Sequence, residues 1–186
     1  MTSSPDSVAP ILWHFKANEY QKVFDVGMGY GKYGFLLREY KETPHGRFKL
    51  GDFKIRIDGL EPFHQAITFQ KQIYDNIYFS DLENFIPFVQ YDLMLWIDIL
   101  EHMPKEESIK QFNRYKPFAK QHLIATPKTF IKQKLEVNEH YDQHRSLIKP
   151  FMLDKKFKRL DKDDISNYIY LIEGGQSEEK TTKKKS

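Results

Sequence analysis

Short apolar runs alternate with segments of helical periodicity along most of this chain. The apolar runs occupy residues 23–26, 53–60, 76–80, 91–99 and 121–127. Most of the segments between them carry apolar side chains three or four positions apart, as amphipathic helices do. The run at 91–99, YDLMLWIDI, is the most continuous, which is typical of a central strand covered on both faces. The pattern therefore predicts an α/β fold with a mainly parallel sheet.

The same pattern predicts the helices that cover this sheet and a hairpin that closes it. Asp6 or Ser7 is expected to cap an N-terminal helix whose apolar face contains Val8, Ile11, Leu12 and Phe15. Further helical segments are predicted around residues 66–73, around residues 85–89 and after Pro104, which suits a first helical turn. Residues 157–160 and 168–172 flank a turn-like DKDD segment and predict a closing hairpin.

Residues 22–40, KVFDVGMGYGKYGFLLREY, combine a buried strand, a glycine-rich turn and an amphipathic helix. Such a unit opens a nucleotide-binding sheet. Glycines at 27, 29 and 31 let a ligand approach the backbone where a Cβ would clash. The next helix directs its free N–H groups and positive dipole end at that ligand. Asp25 lies at the end of the strand, where a carboxylate could hold an ammonium group rather than a diphosphate.

Three more acids stand at the ends of later predicted strands. Glu61 follows the second strand, Asp81 follows the third and Asp98 ends the fourth. Ligand groups gather at the carboxyl edge of the strands in an open parallel sheet, so these acids are expected to surround one ligand. Asp81 has a competing role as the N-cap of the helix predicted at 85–89.

Composition and charge exclude several classes of protein. The chain has 186 residues, of which 40% are apolar and 30% charged, as in a soluble globular domain. Its formal net charge is +3, and residues 178–186 supply +2 of it, so no strong nucleic-acid surface is expected. The absence of cysteine excludes disulfides and thiol catalysis. No apolar run approaches the roughly 20 residues that span a bilayer and no signal-peptide pattern is present, so we expect a cytoplasmic protein.

Three parts of the chain are predicted from these patterns. Residues 1–19 form an N-terminal helical segment, residues 20–175 form the main domain, and residues 176–186 form a disordered basic tail. The tail, QSEEKTTKKKS, cannot bury enough apolar surface to order itself. The oligomeric state is not predicted.

The order acid-x-Gly-x-Gly-x-Gly at 25–31 resembles motif I of the class I S-adenosylmethionine-dependent methyltransferases. With the later segments IDGLEPF, YDLMLWIDILEHMPKEE, LIATP and EHYDQHRS, residues 20–175 look like bacterial methyltransferase-domain proteins. The resemblance implies a Rossmann-like, doubly wound sheet of seven strands in the order 3-2-1-4-5-7-6, with strand 7 antiparallel.

The resemblance also implies S-adenosyl-L-methionine as the cofactor. The glycine loop would cradle its methionine part, Glu61 would accept both ribose hydroxyls, and Asp81 would accept the adenine amino group. The expected cofactor-binding residues are Asp25, Gly27, Met28, Gly29, Gly31, Glu61, Pro62, Asp81, Leu82 and Asp98. Met28 departs from the family, in which a smaller residue is common at this position.

Two histidines are candidate general bases for a hydroxyl acceptor. His102 lies just past the fourth strand, and His144 lies in residues 128–150, a polar stretch without clean periodicity that is typical of a functional loop. A surface or helix-capping role is the alternative for either. Residues in this stretch and in the N-terminal helix are expected to contact the substrate: Arg145, His140 and Trp13.

The segment Asp98-x-x-Glu101-His102 also resembles the metal-binding segment of small-RNA 2′-O-methyltransferases and some ubiquinone-pathway O-methyltransferases. Two oxygens and an imidazole would suit Mg²⁺ or Mn²⁺, with His140 or His144 completing the set. The metal-binding members usually have Glu at the position of Asp98, however, and no clear fourth ligand is evident by spacing. The main prediction therefore includes no metal.

The sequence predicts an enzyme that methylates a small-molecule or glycan-type acceptor, with O-methylation favoured and neither a membrane nor a nucleic acid as partner. Metal-assisted RNA 2′-O-methylation and a non-catalytic S-adenosylmethionine-binding partner protein are the alternatives. A nicotinamide-dependent enzyme is favoured only by the GYGKYG match to G-x-G-x-x-G at 29–34. The acid at Glu61 lies about thirty residues beyond those glycines instead of about twenty, which argues against it.

Overall fold

The computed structural model describes residues 4–63, 69–130, 143–162 and 164–175. Seven strands lie within these ranges: β1 (Lys22–Val26), β2 (Arg56–Leu60), β3 (Asn76–Tyr78), β4 (Tyr91–Ile97), β5 (Ala119–Pro127), β6 (Lys158–Arg159) and β7 (Asn167–Glu173). The helices are α1 (Val8–Ala17), α2 (Lys32–Lys41), α3 (Lys105–Tyr115) and the single turn α4 (Pro150–Leu153). Each strand coincides with an apolar run of the sequence or with an arm of the predicted hairpin.

The strands form one sheet in the order β3-β2-β1-β4-β5-β7-β6. β1 pairs in parallel with β2 and β4, and its Asp25 lies opposite Gly59 of β2 and Leu95 of β4. β7 runs antiparallel to both β5 and β6. The doubly wound order and the antiparallel strand 7 are therefore confirmed. The carboxyl ends of β1, β2 and β4 meet at one edge, as parallel pairing requires.

Side chains alternate across the sheet and build a separate core on each face. One core joins Val23, Ile57 and Leu95 to Ile11 and Phe15 of α1 and to Leu37 of α2. The other joins Phe24 and Trp96 to Phe112 and Tyr115 of α3. Because both faces are covered, β4 is apolar along nearly its whole length, as its sequence predicts.

α1 forms where its apolar spacing predicts, but no side chain caps it. Ser7 occupies the N-cap position without a side-chain hydrogen bond. Asp6 instead accepts hydrogen bonds from the backbone N–H of Ser166 at 2.8 Å and from its hydroxyl at 3.0 Å. The predicted cap is therefore wrong: Asp6 ties the start of the helix to the loop before β7.

The helix predicted at residues 85–89 is also wrong. After Asp81 the chain makes a turn at residues 82–84 and then runs without regular structure to β4. Pro87 explains the difference, because its ring excludes a helical N–H and disfavours helical geometry at the residue before it. The aromatic ring of Phe85 stacks on Phe24 at 5.8 Å instead of lining a helix face.

The remaining predictions concern segments beside the sheet. Of the helix predicted around residues 66–73, residues 66–68 lie outside the described ranges, and Gln70–Gln72 is a 3₁₀ turn. The tail at 176–186 lies outside them as well. Within the part of the chain that the structure describes, none of the helices has the length and hydropathy that crossing a bilayer requires.

Candidate active site

The glycine-rich turn between β1 and α2 is held open by two side chains. Gly29 has φ of 51°, and apart from its two chain neighbours no atom of the described residues lies within 4 Å of where a Cβ would stand. Its N–H donates to Glu61 Oε2 at 2.9 Å, and its carbonyl accepts from Gln70 Nε2 at 2.9 Å. The backbone of the turn is thus fixed on both sides, while the space above Gly29 is left for a ligand.

Asp25 lies beneath this turn and is almost completely buried, with 3% of its surface exposed. Its Oδ2 accepts a hydrogen bond of 2.6 Å from the hydroxyl of Tyr74. Burial, opposed by the hydrogen bond from Tyr74 and assisted by the negative charge of Glu61, raises the pKa of Asp25 to about 7. The carboxylate can therefore be ionised near neutral pH, and a cationic partner would favour that form.

Glu61 joins the ends of β1 and β2. One carboxylate oxygen holds Gly29, and the other accepts the N–H of Phe63 at 3.2 Å across the half-buried Pro62. Met28, whose N–H donates to the carbonyl of Leu60, is buried, and its sulfur packs over Gly59. The side chain of Met28 therefore turns into the core beneath the turn, which explains why a large residue fits at this position.

Asp81 and Leu82 follow β3 and are engaged within the protein. Asp81 Oδ1 accepts hydrogen bonds from the N–H and the side-chain amide of Asn84, both at 2.9 Å. The carbonyl of Leu82 accepts from Arg114 Nη1 at 2.7 Å. Asp81 thus caps a turn rather than a helix. Its contact with adenine, and that of Leu82 with the cofactor, stay predictions.

Asp98 follows β4 in a backbone conformation that is rare for a residue with a side chain. Its φ is 53°, the only positive φ of a non-glycine residue among those that the structure describes. Its N–H donates to the carbonyl of Ala125 at 3.0 Å, and Asn167 Nδ2 donates to its Oδ1 at 2.8 Å. Neighbouring strands hold this conformation, which turns the chain away from the sheet at the same edge as Asp25 and Glu61.

The next turn brings Glu101, His102 and His144 together. One potential ligand atom from each of the three lies within 4.8 Å of the others, and the two imidazole rings are 5.1 Å apart in an edge-on arrangement. Glu101 is 1% exposed, and neither of its carboxylate oxygens has a hydrogen-bond partner within the described ranges. Burial, and next the charge of Asp98, raise the pKa of Glu101 well above its ordinary value.

Residues 145 and 146 dock His144 onto this turn. The N–H groups of Arg145 and Ser146 donate to the carbonyl of Glu101 at 2.8 and 3.2 Å, and the Ser146 hydroxyl donates to the carbonyl of Met103 at 2.8 Å. Partial burial lowers the pKa of His144, against the opposing effect of Asp98. His144 is therefore neutral at pH 7 and able to accept a proton.

The predicted substrate residues do not all belong to this edge. Arg145 adjoins His144, whereas His140 lies outside the described residues. Trp13 is 67% exposed and lines a cleft between α1 and the β6–β7 hairpin with Lys158 and Ile165. None of the glycine-turn residues lines that cleft. The substrate contact of Trp13 stays a prediction.

Three residues that hold the site were missed in the sequence: Gln70, Tyr74 and Asn167. Gln70 fixes Gly29, Tyr74 binds Asp25, and Asn167 binds Asp98. They come from segments 41, 49 and 69 residues away from their partners along the chain. Periodicity places Gln70 on a helix face and Asn167 at the edge of a strand. It does not predict which backbone or side chain either residue contacts.

Comparison with known proteins identifies the fold of this chain but no sequence family to which it belongs. No family model and no curated protein matches this chain. A solved structure of a candidate O-methyltransferase from Nostoc punctiforme PCC 73102 aligns with 90% of the chain at a TM-score of 0.62 and 12% identity. The chain spans only 56% of the length of that protein.

Two further structures are similar over most of their own length. Magnesium protoporphyrin IX methyltransferase from Synechocystis PCC 6803, with bound S-adenosylhomocysteine, aligns with 88% of this chain and 78% of its own at a TM-score of 0.60 and 13% identity. The methyltransferase domain of bacterial CtHen1-C aligns with 91% of this chain and 97% of its own at a TM-score of 0.61 and 16% identity. Identities this low establish a fold only, and that fold is the one of class I S-adenosylmethionine-dependent methyltransferases.

Proposed function

We propose that this protein transfers a methyl group from S-adenosylmethionine to a hydroxyl group of a small-molecule or glycan-type acceptor. The observation that carries the proposal is the meeting of Asp25, Glu61 and the open turn at Gly29 at one edge of a class I methyltransferase sheet. The same fold serves methyltransferases with different acceptors, so the acceptor depends on this chain's own residues.

The residues present fit the cofactor. The Cβ-free space above Gly29 admits a ligand against the backbone, and the buried Asp25 would hold its ammonium group. Glu61 would accept the ribose hydroxyls, and Asp98 would line the other side of the pocket. When bound, S-adenosylmethionine supplies a methyl group on a positively charged sulfur, so the protein mainly has to align the acceptor and exclude water.

His144 is the proposed general base. It is neutral at pH 7 because burial lowers its pKa. The backbone N–H groups of the two residues after it bind the carbonyl of Glu101, and its ring packs against that of His102. A neutral imidazole can take the proton of an acceptor hydroxyl during methyl transfer, an effect worth roughly 10²–10⁴-fold. His102, packed against the His144 ring, would orient it or share the proton.

The charge of the chain supports a small acceptor. The net charge of +3 is concentrated in residues 178–186, so residues 1–177 carry little excess charge with which to attract a polyanion. The proposed acceptor is therefore a neutral or weakly charged hydroxyl compound.

Calorimetric titration with S-adenosylhomocysteine tests the cofactor assignment. We expect binding by the natural protein, binding weakened at least about tenfold by Asp25→Asn, which removes a charge-assisted contact, and no change in Asp52→Asn, a surface acid. Incubation with S-adenosylmethionine and fractionated metabolites should then yield S-adenosylhomocysteine. No binding at millimolar ligand would refute the proposal, and binding without turnover on any fraction would favour the non-catalytic module.

The cluster of Glu101, His102 and His144 favours a second candidate, metal-assisted methylation of an RNA 2′-hydroxyl. The Glu101 carboxylate is 1% exposed and has no hydrogen-bond partner in the described ranges. Burying such a charge costs folding free energy unless a proton or a cation neutralises it. Two imidazoles and one carboxylate suit Mn²⁺, Fe²⁺ or Zn²⁺ better than Mg²⁺. Such an ion would supply Lewis-acid activation of an acceptor hydroxyl.

Titration of the metal-free protein with Mn²⁺, followed by electron paramagnetic resonance, separates the two candidates. Metal-assisted chemistry requires stoichiometric binding that is lost in His144→Ala and retained in His45→Ala, a histidine of the loop after α2. It also requires methylation of a small RNA in the presence of Mn²⁺. Absence of binding by the natural protein would exclude this candidate and leave the metal-free base mechanism.

A further inference from the structure

Tyr74 occupies a slot whose walls are glycines. A Cβ at Gly34 would stand 2.5 Å from the Tyr74 hydroxyl, and a Cβ at Gly59 would stand 3.0 Å from its ring. The first distance is too short for any side chain, and the second would force the tyrosine ring to shift. Glycine in the first turn of α2 and at the end of β2 therefore admits this tyrosine. Gly34 is the third glycine of the G-x-G-x-x-G match, and the close approach of Tyr74 explains why glycine stands at this position.

The slot directs the tyrosine at Asp25. Tyr74 is 2% exposed, and its hydroxyl donates to Asp25 Oδ2 at 2.6 Å. The segment that carries it is fixed on both sides by Arg38, which donates to the carbonyl of Ile73 at 2.9 Å and pairs with Asp75 at 2.8 Å. A buried ring held by so many contacts cannot swing away, so the hydrogen bond is part of the folded state.

We propose that Tyr74 is a positioning residue of the cofactor site, whose hydroxyl holds the Asp25 carboxylate in place for the cofactor's ammonium group. This inference rests on the proposed function. Tyr74 is not proposed to touch the cofactor or to take part in methyl transfer; it acts through Asp25.

The charges around Asp25 give the bond a measurable consequence. Burial, and to a smaller extent the charge of Glu61, disfavours the ionised Asp25 carboxylate, whereas the Tyr74 hydroxyl stabilises it by donating a hydrogen bond. The positive charge of Arg38, which lies behind Tyr74, lowers the pKa of the same hydroxyl, against the larger raising effects of burial and of Asp25. Without the hydroxyl, Asp25 would ionise at a higher pH. The ammonium group of the cofactor could then form an ion pair with Asp25 only at that higher pH.

The matched test pair is Tyr74→Phe and Tyr91→Phe. Tyr91 is also buried and donates its hydroxyl to an aspartate, Asp58, at 2.7 Å, but Asp58 belongs to the opposite face of the sheet. Both variants remove one buried hydrogen bond and are expected to unfold at similarly lower urea concentrations. A merely structural role for Tyr74 would make the two variants alike in every other measurement.

The affinity for S-adenosylhomocysteine is measured by calorimetry from pH 5.5 to pH 9. In the natural protein we expect it to rise with pH through a midpoint near pH 7, where Asp25 is half ionised, to a plateau about one pH unit higher. In Tyr74→Phe the midpoint should move up by roughly one pH unit, with affinity about tenfold lower at pH 6.5 and partly restored at pH 9. In Tyr91→Phe the midpoint should not move.

5′-Methylthioadenosine, which lacks the ammonium group, is the second probe. Its affinity should be equal in the natural protein and in Tyr74→Phe at every pH. An unchanged midpoint in Tyr74→Phe, or an equal loss of affinity for both probes, would overturn the positioning role while leaving the proposed function intact. If the natural protein binds neither probe, the proposed function itself fails.

Discussion

The carboxyl edge of the sheet has two halves that are built differently. The half that we propose to bind the cofactor, the cofactor half, consists of Asp25, Glu61 and the turn at 27–31. The half that we propose to bind the acceptor, the acceptor half, consists of Glu101, His102 and His144 and begins at Asp98, whose side chain would also line the cofactor pocket. In the cofactor half the protein provides partners for the carboxylates: Tyr74 for Asp25, and the N–H groups of Gly29 and Phe63 for Glu61. In the acceptor half Glu101 is buried with no hydrogen bond to either oxygen within the described ranges.

The backbone shows the same contrast. The cofactor half reaches its left-handed conformations with glycines, which adopt them without steric cost. The acceptor half uses Asp98 at φ 53°, a conformation that costs of order 1–3 kcal/mol and needs support from its surroundings. The side chains of the cofactor half are thus hydrogen-bonded before a ligand arrives, whereas the acceptor half combines a strained backbone at Asp98 with a buried carboxylate at Glu101, whose charge a proton or a cation can neutralise.

Replacing Gly29 with Ala should break the cofactor half most severely. The added methyl would enter the open space above the turn and force a left-handed residue with a Cβ. We expect the affinity for S-adenosylhomocysteine to fall on the order of 100-fold, which corresponds to about 2.8 kcal/mol, in calorimetric titrations.

Gly46 offers a matched control for this substitution. It too has a positive φ, 72°, and open space at its Cβ position, but it lies in the loop after α2. Gly29→Ala and Gly46→Ala should therefore lose similar stability, about 1 kcal/mol, while only the first loses affinity. Equal cofactor affinity in the two variants would show that the space above Gly29 is not a binding surface.

Replacing Glu101 with Gln should stabilise the metal-free acceptor half. The amide has the shape of the carboxylate without its charge, so it removes the cost of burying an unpaired anion. In urea unfolding at pH 8 with a chelator present, we expect a free energy of unfolding about 1–2 kcal/mol higher than in the natural protein.

The exposed Glu83 provides the control, because Glu83→Gln should stay within about 0.5 kcal/mol of the natural protein. If Glu101→Gln proves less stable than the natural protein without metal, the carboxylate must have a favourable partner, and the contrast between the two halves would disappear.

The sequence predicted the sheet well because its central strands β1, β4 and β5 are buried on both faces. A run such as 91–99 has to be apolar throughout, and the glycine turn has to follow the first strand, so the positions of Asp25, Glu61 and Asp98 at one edge follow from strand order alone. The helix at 85–89 failed because apolar periodicity was weighed without the breaker at Pro87. The cap at Asp6 or Ser7 failed because a distant loop competes for the Asp6 carboxylate.

Side-chain partners could not be predicted in the same way. Tyr74 reaches Asp25, and residues 145–146 dock His144 beside Glu101, through contacts between segments far apart in the chain. No periodic signal marks such pairs, because they depend on the packing of loops rather than on the repeat of a strand or helix. The sequence could therefore name the candidate carboxylates and histidines but not which of them lie unpaired.

Replacing Asn167 with Ala should have the smallest effect, and it tests the support of the acceptor half. Asn167 is 5% exposed, and its amide is the contact that holds Asp98 from β7. Loss of one such hydrogen bond is expected to lower the free energy of unfolding by about 1 kcal/mol.

The matched control is Asn84→Ala. Asn84 makes a similar amide contact with Asp81 but is exposed, so its replacement should lower the free energy of unfolding by less than about 0.5 kcal/mol. If the two variants lose equal stability, Asp98 does not depend on β7 for its left-handed backbone. A larger loss in Asn167→Ala, with cofactor affinity changed by less than about fivefold, would show that the strain at Asp98 is balanced by the fold and not by the ligand.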